Sequence, residues 1–279
     1  MIPFSKAHAC GNDFLIVTEE AAGSRDWAEL TRQLCARNTS IGADGIEFFT
    51  WTGRKAGRIR LHNADGSIAE ISGNGTRCVA AWMAEQSGAQ PGDELSITTD
   101  AGLRVCRVNA IHAGDAYSVD VTTGMGLPTC AKKTVTLADG TKIEGAEISM
   151  GNPHFVLLVA NAEFTVAGKS WQEIGQAICF HPDFPHQTNV EFLRILSRDK
   201  IEIRIFERGV GPTTSSGTGT SACTTAAIAL HDCTSPLTVV APGGTQTTTW
   251  GGPGTELFLT GPASLIARGE AWFESCCEA

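Results

Sequence analysis

The chain has 279 residues, 42% of them hydrophobic, a formal net charge of −9 and an isoelectric point near 5.3. This length and composition allow a sizeable core, arranged as one large domain or as two of about 140 residues each. The acidic balance offers no basic face for nucleic acid, and no stretch approaches the roughly 18 apolar residues of a membrane span. Small molecules or proteins are therefore the expected partners.

The cysteines indicate a reducing compartment. Ten cysteines in a chain of this length are too few for a disulfide scaffold, and they lack the paired spacing of metal ligands. The first residues, Met1–Lys6, contain no apolar segment typical of a secretory signal. We expect a cytoplasmic protein without a bound metal, in which Cys276 and Cys277 are incidental residues of a frayed end.

Strands dominate the predicted secondary structure. Short or alternating apolar runs bounded by Gly, Asp and Asn indicate strands, and they occur at Asp13–Val17, Ile46–Thr50, Arg58–His62, Leu95–Thr99, Tyr117–Val121, Phe155–Val159, Val190–Leu196, Ile201–Phe206, Leu237–Val240 and Glu256–Leu259. Apolar residues at helical spacing predict fewer helices, at Trp27–Arg37, Arg77–Glu85, Trp171–Ile178 and Ser221–Leu230. Many strands with few helices favour an α+β fold in which each helix packs against a curled sheet.

A weak internal repeat divides the chain into two similar halves. Ser72–Thr76 (Ser-Gly-Asn-Gly-Thr) matches Ser216–Thr220 (Ser-Gly-Thr-Gly-Thr) at four of five positions, and each segment leads into an alanine-rich helix. Gly11–Phe14 has a looser counterpart in Gly151–Phe155. The spacings agree, at 144 residues (216 − 72) for the first pair and 140 residues (151 − 11) for the second. A duplicated architecture would place both Ser-Gly-x-Gly-Thr turns at one interdomain cleft.

Each repeated turn can be interpreted in two ways. A small residue followed by Gly-x-Gly and a helix leaves backbone N–H groups pointing off the helix N-terminus, where the macrodipole favours an anion such as a carboxylate. Alternatively, the glycines only supply unusual backbone angles, and Ser72 and Ser216 are helix N-caps. A single turn favours the second interpretation, whereas a symmetric pair favours a site that holds one carboxylate between two helix N-termini.

A site of this kind suits a racemase that needs no cofactor. Such an enzyme requires two groups on opposite faces of a carbon, because one removes the α-proton and the other delivers a proton from behind. Polar residues in or after apolar segments, namely Asn63, Asn189, Glu207 and Arg208, could surround that carbon. Individually such residues usually serve turns, but a cluster of them would bind amino and carboxylate groups.

The order and spacing of several motifs resemble the diaminopimelate epimerase family. These motifs are His8-x-x-Gly11-Asn12-Asp13-Phe14, Gly42-Ala43-Asp44-Gly45, Asn63-Ala64-Asp65-Gly66-Ser67, Gly73-Asn74-Gly75-Thr76-Arg77-Cys78, Met150-Gly151-Asn152-Pro153-His154, Glu207-Arg208-Gly209-x-Gly211, Gly217-Thr218-Gly219, Ala241-Pro242-Gly243-Gly244 and Leu259-Thr260-Gly261. The resemblance covers nearly the whole chain.

The resemblance implies an α+β fold of two pseudo-symmetric halves, each a curved, mostly antiparallel sheet around a central helix. It implies an N-terminal half of residues 1–117 with a returning segment, 263–279, and a C-terminal half of residues 118–262. Ser72 and Ser216 would stand at the positions of the two catalytic cysteines, assisted by Glu207 and His154. The implied substrate-binding residues are Asn12, Asn63, Gly73, Asn74, Asn152, Asn189, Glu207, Arg208, Gly217 and Thr218.

Serine at positions 72 and 216 is the main departure from the family pattern. A thiol has a pKa near 8.5, whereas a hydroxyl titrates close to water's roughly 15.7, so its ionisation costs on the order of 10 kcal/mol more. A thiolate mechanism is therefore impaired, while the size and polarity of the pocket are retained. Three explanations stay open: an engineered substrate trap, a natural subfamily with other chemistry, and a non-catalytic binder.

The leading hypothesis is a pyridoxal-independent isomerase that interconverts LL- and meso-diaminopimelate in lysine and peptidoglycan precursor biosynthesis. It requires no cofactor, its partner is this amino-acid substrate, and a homodimer is compatible with it. One alternative is a racemase or isomerase of another compound on the same fold, including one that works through a carboxylate, as the phenazine-biosynthesis relatives do. The other is a non-catalytic amino-acid-binding protein.

Overall fold

The computed structural model describes residues 1–114 and 116–273, so Cys276, Cys277 and the end of the predicted returning segment lie outside the described residues. The chain forms two compact units. The first contains Met1–Thr123 and the chain from Gly261 onward, and the second contains Gly124–Thr260. Each unit has its own buried apolar clusters.

The first unit is built from a sheet and three helices. Its strands are β1 (Ile2–Ala9), β2 (Asn12–Thr18), β3 (Gly45–Gly53), β4 (Ala56–Asn63), β5 (Ile68–Ala69), β6 (Glu94–Thr99), β7 (Gly102–Ala113) and β8 (Tyr117–Gly126), the last of which continues into the second unit. Its helices are α1 (Glu19–Ala22), α2 (Trp27–Cys35) and α3 (Gly73–Ser87). The β2–β3 and β4–β6 pairs are parallel, and the β1–β2, β3–β4, β4–β5, β6–β7 and β7–β8 pairs are antiparallel.

Helix α3 lies at the centre of the first unit. Its residues from Gly73 to Ala84 are buried, and Val79, Ala80 and Met83 join a core cluster with residues of the surrounding strands. A helix that is buried on all sides has no polar face, which explains why its hydrophobic pattern is weakly periodic. The helix ends at Gly88, whose φ of 67° lies in the left-handed region that favours glycine.

The second unit repeats this order of elements. Its strands are β9 (Thr129–Thr136), β10 (Lys142–Ser149), β11 (Pro153–Leu158), β12 (Asn189–Ser197), β13 (Lys200–Glu207), β14 (Gly211–Thr213), β15 (Leu237–Ala241), β16 (Gly244–Trp250) and β17 (Leu257–Ala271), and its helices are α4 (Trp171–Cys179) and α5 (Gly217–Leu230). The β11–β12 and β13–β15 pairs are parallel, and the β9–β10, β10–β11, β12–β13, β13–β14, β15–β16 and β16–β17 pairs are antiparallel.

Strand β17 belongs to both units in turn. Its first residues, Leu257–Thr260, pair with β16 in the second unit. Residues Ser264–Ala271 then pair with β1 in the first unit, which accounts for the return of the chain to its N-terminal half.

Helix α5 occupies the same place in the second unit as α3 does in the first, but its buried surface is more polar. Three of its buried hydroxyls are satisfied within the helix, because Ser221, Thr224 and Thr225 each donate to the carbonyl oxygen four residues earlier, at 2.9, 3.0 and 2.9 Å. Small alanine, serine and threonine side chains let the surrounding strands approach the helix closely.

The predicted fold class is confirmed: each half is a mostly antiparallel sheet around a central helix, and the two halves share one order of elements. The predicted starts of the central helices, Arg77 and Ser221, were wrong by one turn, since α3 begins at Gly73 and α5 at Gly217. Glycine has a low helix propensity, so the apolar pattern does not reveal this first turn. No helix among the described residues has both the length and the apolar character of a membrane-spanning segment.

Candidate active site

The first Ser-Gly-x-Gly-Thr turn is the N-terminus of α3. Ser72 has an extended backbone, its Oγ accepts a hydrogen bond from the Gly75 amide at 3.0 Å, and its carbonyl oxygen accepts one from the Thr76 amide at 2.8 Å. Ser72 is therefore an N-cap. The amides of Gly73 and Asn74 belong to the first turn, where a helix offers donors to an anion.

The second turn has the same geometry at the N-terminus of α5. Ser216 is an extended N-cap whose Oγ accepts from the Gly219 amide at 3.3 Å, and its carbonyl oxygen accepts from the Thr220 amide at 2.9 Å. Ser216 Oγ also lies 3.4 Å from Thr218 Oγ1. The expected capping is therefore present in both halves, and the amides of Gly217 and Thr218 again belong to the first turn of a helix.

A chain of side-chain amides ties Asn12 to the first turn. Arg77 Nη2 donates to Asn74 Oδ1 at 2.6 Å, Asn74 Nδ2 donates to Asn12 Oδ1 at 3.1 Å, and Asn12 Nδ2 donates to Asp44 Oδ2 at 2.6 Å. Arg77 is fully buried, and this burial lowers its pKa. Asn74 is buried as well, whereas Asn12 is half-buried.

Charged residues hold Asp44 and the start of β2 in place. Arg37 Nη2 contacts Asp13 Oδ1 at 2.7 Å and Asp44 Oδ1 at 2.6 Å, and Lys6 Nζ contacts Asp13 Oδ2 at 3.0 Å. Burial of Asp13 acts to raise its pKa, but the hydrogen bonds from Arg37 and Lys6 outweigh it and the pKa is lowered. Asp13 is therefore ionised at neutral pH and fixes the strand that carries Asn12.

Asn63 lies at the edge of this arrangement. Its side chain is exposed, and its Nδ2 donates to Ser67 Oγ at 3.0 Å. The following amide, that of Ala64, donates to the Asp44 carbonyl oxygen at 3.0 Å. The turn after β4 is thereby joined to the segment that holds Asn12.

The second half uses a histidine in place of this amide chain. His154 is fully buried between Glu191, whose Oε1 lies 2.7 Å from Nδ1, and Asn152, whose Oδ1 lies 3.0 Å from Nε2. Asn152 Nδ2 in turn donates to Thr218 Oγ1 at 3.5 Å. The predicted residues Asn152, His154 and Thr218 therefore form one connected group beside Ser216.

The start of β12 and the end of β13 lie side by side in the second half. They carry three predicted site residues, Asn189, Glu207 and Arg208. Asn189 is the register partner of His154, and its Nδ2 donates to the Pro153 carbonyl oxygen at 3.2 Å. Its Oδ1 accepts the Arg208 amide at 2.8 Å, which fixes the end of β13 where Glu207 is the last residue. The Arg208 side chain is exposed and its Nη1 donates to the carbonyl oxygen of His186 at 3.2 Å.

Strand β3 carries a carboxyl group that the sequence interpretation missed. Glu47 is fully buried, and neither of its carboxyl oxygens has a hydrogen-bond partner among the described residues. A Cβ atom added to Gly75 would lie 2.0 Å from Glu47 Oε1 and 3.2 Å from Ser72 Cβ, so the carboxyl group lies against the first turn of α3, next to Ser72. Burial raises its pKa to about 8, which leaves it mostly protonated at neutral pH.

Glu191 on β12 occupies the matching place in the second half. A Cβ atom added to Gly219 would lie 3.0 Å from Glu191 Oε1 and 3.2 Å from Ser216 Cβ. Glu191 follows Glu47 by 144 residues (191 − 47), the same spacing that separates Ser216 from Ser72 and Gly219 from Gly75. This spacing, with a glutamate inside an apolar strand in each half, was the signal that could have revealed both residues.

Comparison with known proteins gives the family. A family model described as diaminopimelate epimerase matches residues 4–129 and 147–266. The chain belongs to the diaminopimelate epimerase family. Members of this family are isomerases, and the resemblance stated from the motifs is confirmed.

Relatives and solved structures agree with this assignment. The chain is 34% identical over 283 residues to a diaminopimelate epimerase of Moorella thermoacetica, covering 96% of this chain and 98% of that protein. It is 34% identical over 280 residues to one of Desulfitobacterium hafniense, covering 95% and 96%. A predicted epimerase of Pseudomonas aeruginosa has the same fold, with a TM-score of 0.74 at 13% identity over 98% of this chain and 100% of that one. A hydroxyproline epimerase of Agrobacterium vitis gives 0.70 at 15% identity, covering 96% and 91%.

Proposed function

We propose that the chain is a pyridoxal-independent epimerase that interconverts LL- and meso-diaminopimelate. The observation that carries the proposal is the pair of matched turns. In each turn a serine caps the helix and a buried glutamate lies against the third helical residue, and the two turns are 144 residues apart (216 − 72). In this proposal Ser72 and Ser216 are the two groups that exchange protons with the α-carbon.

The substrate carboxylate would be bound by the backbone amides that follow the two serines, at Gly73, Asn74, Gly217 and Thr218. Each helix N-terminus favours an anion, and two of them favour it more strongly than one. This binding also lowers the cost of removing the α-proton, since charge that moves into the carboxylate meets preorganised donors.

The remainder of the substrate would be held by polar side chains in each half. Asn12 and Asn63 belong to the first half, and Asn152, Asn189 and Glu207 to the second, where amide oxygens and a carboxylate suit an ammonium group. Arg208, with its exposed guanidinium, suits a second carboxylate. Diaminopimelate bears two carboxylates and two amino groups, which agrees with this set of side chains.

His154 and Glu207 would adjust the proton affinity of the second half-site. His154 is joined to Glu191 on one side and, through Asn152 and Thr218, to the neighbourhood of Ser216 on the other. Because an isolated serine is a weak acid, such groups are needed to move a proton to or from its hydroxyl. We extend the proposal to a cytoplasmic location, since none of the eight cysteines among the described residues is in a disulfide.

The test is α-hydrogen exchange in D2O, followed by NMR for LL- and meso-diaminopimelate and for a panel of other amino acids. We expect exchange with diaminopimelate, and faster exchange after Ser72→Cys and Ser216→Cys are introduced together, because a thiol ionises near neutral pH. Exchange with a different amino acid, and not with diaminopimelate, would show that this other amino acid is the substrate. Tight binding without exchange in both forms would instead indicate a non-catalytic binding protein.

A further inference from the structure

The buried Glu47 carboxyl group has no place in the proposed chemistry so far, yet it lies at the reactive end of α3. Its Oε1 and Ser72 Cβ are both near neighbours of one point, the Cβ position of Gly75, at 2.0 and 3.2 Å. Both carboxyl oxygens are open for a hydrogen bond, since neither has a partner within residues 1–114 and 116–273. A buried polar group of this kind calls for an explanation.

Ser72 can complete this contact. Its Oγ accepts from the Gly75 amide at 3.0 Å, which leaves a second lone pair to accept the Glu47 carboxyl hydrogen, while the hydroxyl hydrogen stays available for the substrate. Rotation about the Cα–Cβ or C–O bond of Ser72 is a small motion compared with movement of the fully buried strand β3.

We propose that Glu47 exchanges protons with the substrate through the hydroxyl of Ser72. In one direction the Glu47 carboxyl proton moves to Ser72 Oγ while the Ser72 hydroxyl proton moves to the α-carbanion, forming the C–H bond and leaving Glu47 as a carboxylate. In the other direction both protons move back as the C–H bond breaks. This inference rests on the proposed epimerase function, and Glu47 acts as a positioning residue because it reaches the substrate only through Ser72.

The relay removes the difficulty that serine presents at this position. A proton that enters the hydroxyl as another leaves it never requires a free alkoxide. The acid that finally gains or loses the proton is Glu47, whose pKa of about 8 lies close to the pKa of about 8.5 of an ordinary cysteine thiol. The carboxyl group therefore offers the proton affinity that a thiol would supply.

The surroundings of Glu47 keep it neutral. Its register partners are Ile16 in β2 and Leu61 in β4, both buried and apolar. The charged or titratable residues on the elements packed against it are Asp13 in β2, Arg58, Arg60 and His62 in β4, and Arg77, Cys78 and Glu85 in α3. Burial is the cause that raises the pKa of Glu47. The charge of Glu47 contributes to raising the pKa of Cys78, so these two groups are close enough to interact.

The first test is a pair of substitutions measured singly and together, Glu47→Gln and Ser72→Cys. We expect Glu47→Gln to slow α-hydrogen exchange by about 100-fold or more in the Ser72 protein, with little change in KM and loss of the pH dependence near pH 8 that the titration of Glu47 gives the rate. The same substitution should cost much less in the Ser72→Cys protein, where the thiol needs no relay. Equal losses in both backgrounds would mean that Glu47 is structural and would overturn the inference.

The activity measurement also separates this inference from the proposed function. If the Ser72 protein shows no exchange while the double thiol form, Ser72→Cys with Ser216→Cys, exchanges diaminopimelate, the epimerase function stands and the relay is refuted. If neither form exchanges, the proposed function fails and the relay, as a catalytic step, fails with it.

A second test detects the contact without substrate. The infrared difference between the unmodified protein and Glu47→Gln isolates the carbonyl stretch of the Glu47 carboxyl group. We expect a protonated carboxyl at pH 7 whose frequency shifts in Ser72→Ala, because that variant cannot form the proposed hydrogen bond between Glu47 and Ser72. The frequency should stay constant in the control Ser87→Ala at the opposite end of α3. A frequency that Ser72→Ala leaves unchanged would overturn the inference even if every variant is inactive.

Discussion

Glu47 and Glu191 occupy the same place in the two halves, but their chemical surroundings differ. Glu191 pairs with the buried imidazole of His154, whereas Glu47 has no hydrogen-bond partner among the described residues. At the equivalent register position the first half has Phe14, paired with Gly45, and the second half has His154, paired with Asn189. The histidine gives the Glu191 carboxyl group a buried partner that phenylalanine cannot give to Glu47.

The side chains that contact the two Ser-Gly-x-Gly-Thr turns also differ between the halves. In the first half a buried arginine orients Asn74 and Asn12, and in the second Asn152 and Thr218 contact each other directly beside Ser216. The backbone of the turn is nevertheless the same, because the serine cap and the glycine at the third helical position fix it locally. A repeat can therefore keep its turn geometry while the buried groups beneath the turn acquire different chemistry.

The largest effect is expected from a substitution that makes the second half resemble the first, with phenylalanine in place of His154. His154→Phe should lower the free energy of unfolding by about 3–5 kcal/mol, because it leaves Glu191 buried without its partner. The measurement is urea unfolding at pH 7. Adding Glu191→Gln should recover part of the loss, since no unpaired buried carboxyl group then remains. A loss below about 1 kcal/mol for His154→Phe would show that the pair is not coupled in the fold.

Glu47→Gln should produce the next largest effect, and its sign depends on pH. The pKa of Glu47 is raised from 4.5 to about 8, so its contribution to stability is fully present below about pH 4.5 and is lost as the pH rises towards 8. Relative to the parent, the variant should therefore gain up to about 4 kcal/mol between pH 4.5 and pH 8. Urea unfolding of both proteins across this range measures the gain. Parallel stability curves for parent and variant would contradict a neutral buried carboxyl group.

The two glycines against the glutamates should respond unequally to alanine. Gly75→Ala should destabilise the first half by about 2–3 kcal/mol, because the added Cβ would lie 2.0 Å from Glu47 Oε1. Gly219→Ala should be near neutral, since its Cβ would lie 3.0 Å from Glu191 Oε1 and alanine favours a helix by about 1 kcal/mol. Thermal unfolding of the two variants provides the comparison, and equal destabilisation would argue against closer packing in the first half.

The smallest effect tests what the halves share. Ser72→Ala and Ser216→Ala should each lower the free energy of unfolding by about 1 kcal/mol, the usual contribution of a serine N-cap. The hydrogen bond to the helix amide is 3.0 Å in the first half and 3.3 Å in the second, so the first loss should be the larger. Calorimetric unfolding measures both, and no loss in either variant would show that the serines do not cap these helices.

Much of the fold could be predicted from local pattern. Apolar runs located strands such as β3, β4, β12 and β13 because one or both faces of each are buried. Strand β16 was missed, since it is rich in threonine and buries Gln246 and Thr248. Thr220 Oγ1 donates to Gln246 Oε1 at 2.8 Å, and Thr248 Oγ1 is 2.7 Å from Thr224 Oγ1. The polar side chains on the inner face of β16 therefore form hydrogen bonds with α5. A search for apolar runs cannot detect a strand of this kind.

The site was predictable in its turns but not in its buried acids. The repeat of Ser72–Thr76 in Ser216–Thr220 is visible in a short stretch of sequence, and the helix capping that it indicated is present. That Glu47 faces α3 depends on strand register, in which its β2 partner is Ile16, a residue 31 positions earlier (47 − 16). Long-range contacts of this kind decide the ionisation of a buried group.

The measurement that tests the account most directly is a carbon-13 NMR titration of the glutamate carboxyl groups in the intact protein, with Glu47→Gln used for assignment. We predict that the Glu47 signal stays at the position of a protonated carboxyl at pH 6 and moves with a midpoint near pH 8, as its burial requires. A Glu47 carboxyl that is already ionised at pH 6 would contradict both the neutral acid under the first turn and the relay built on it.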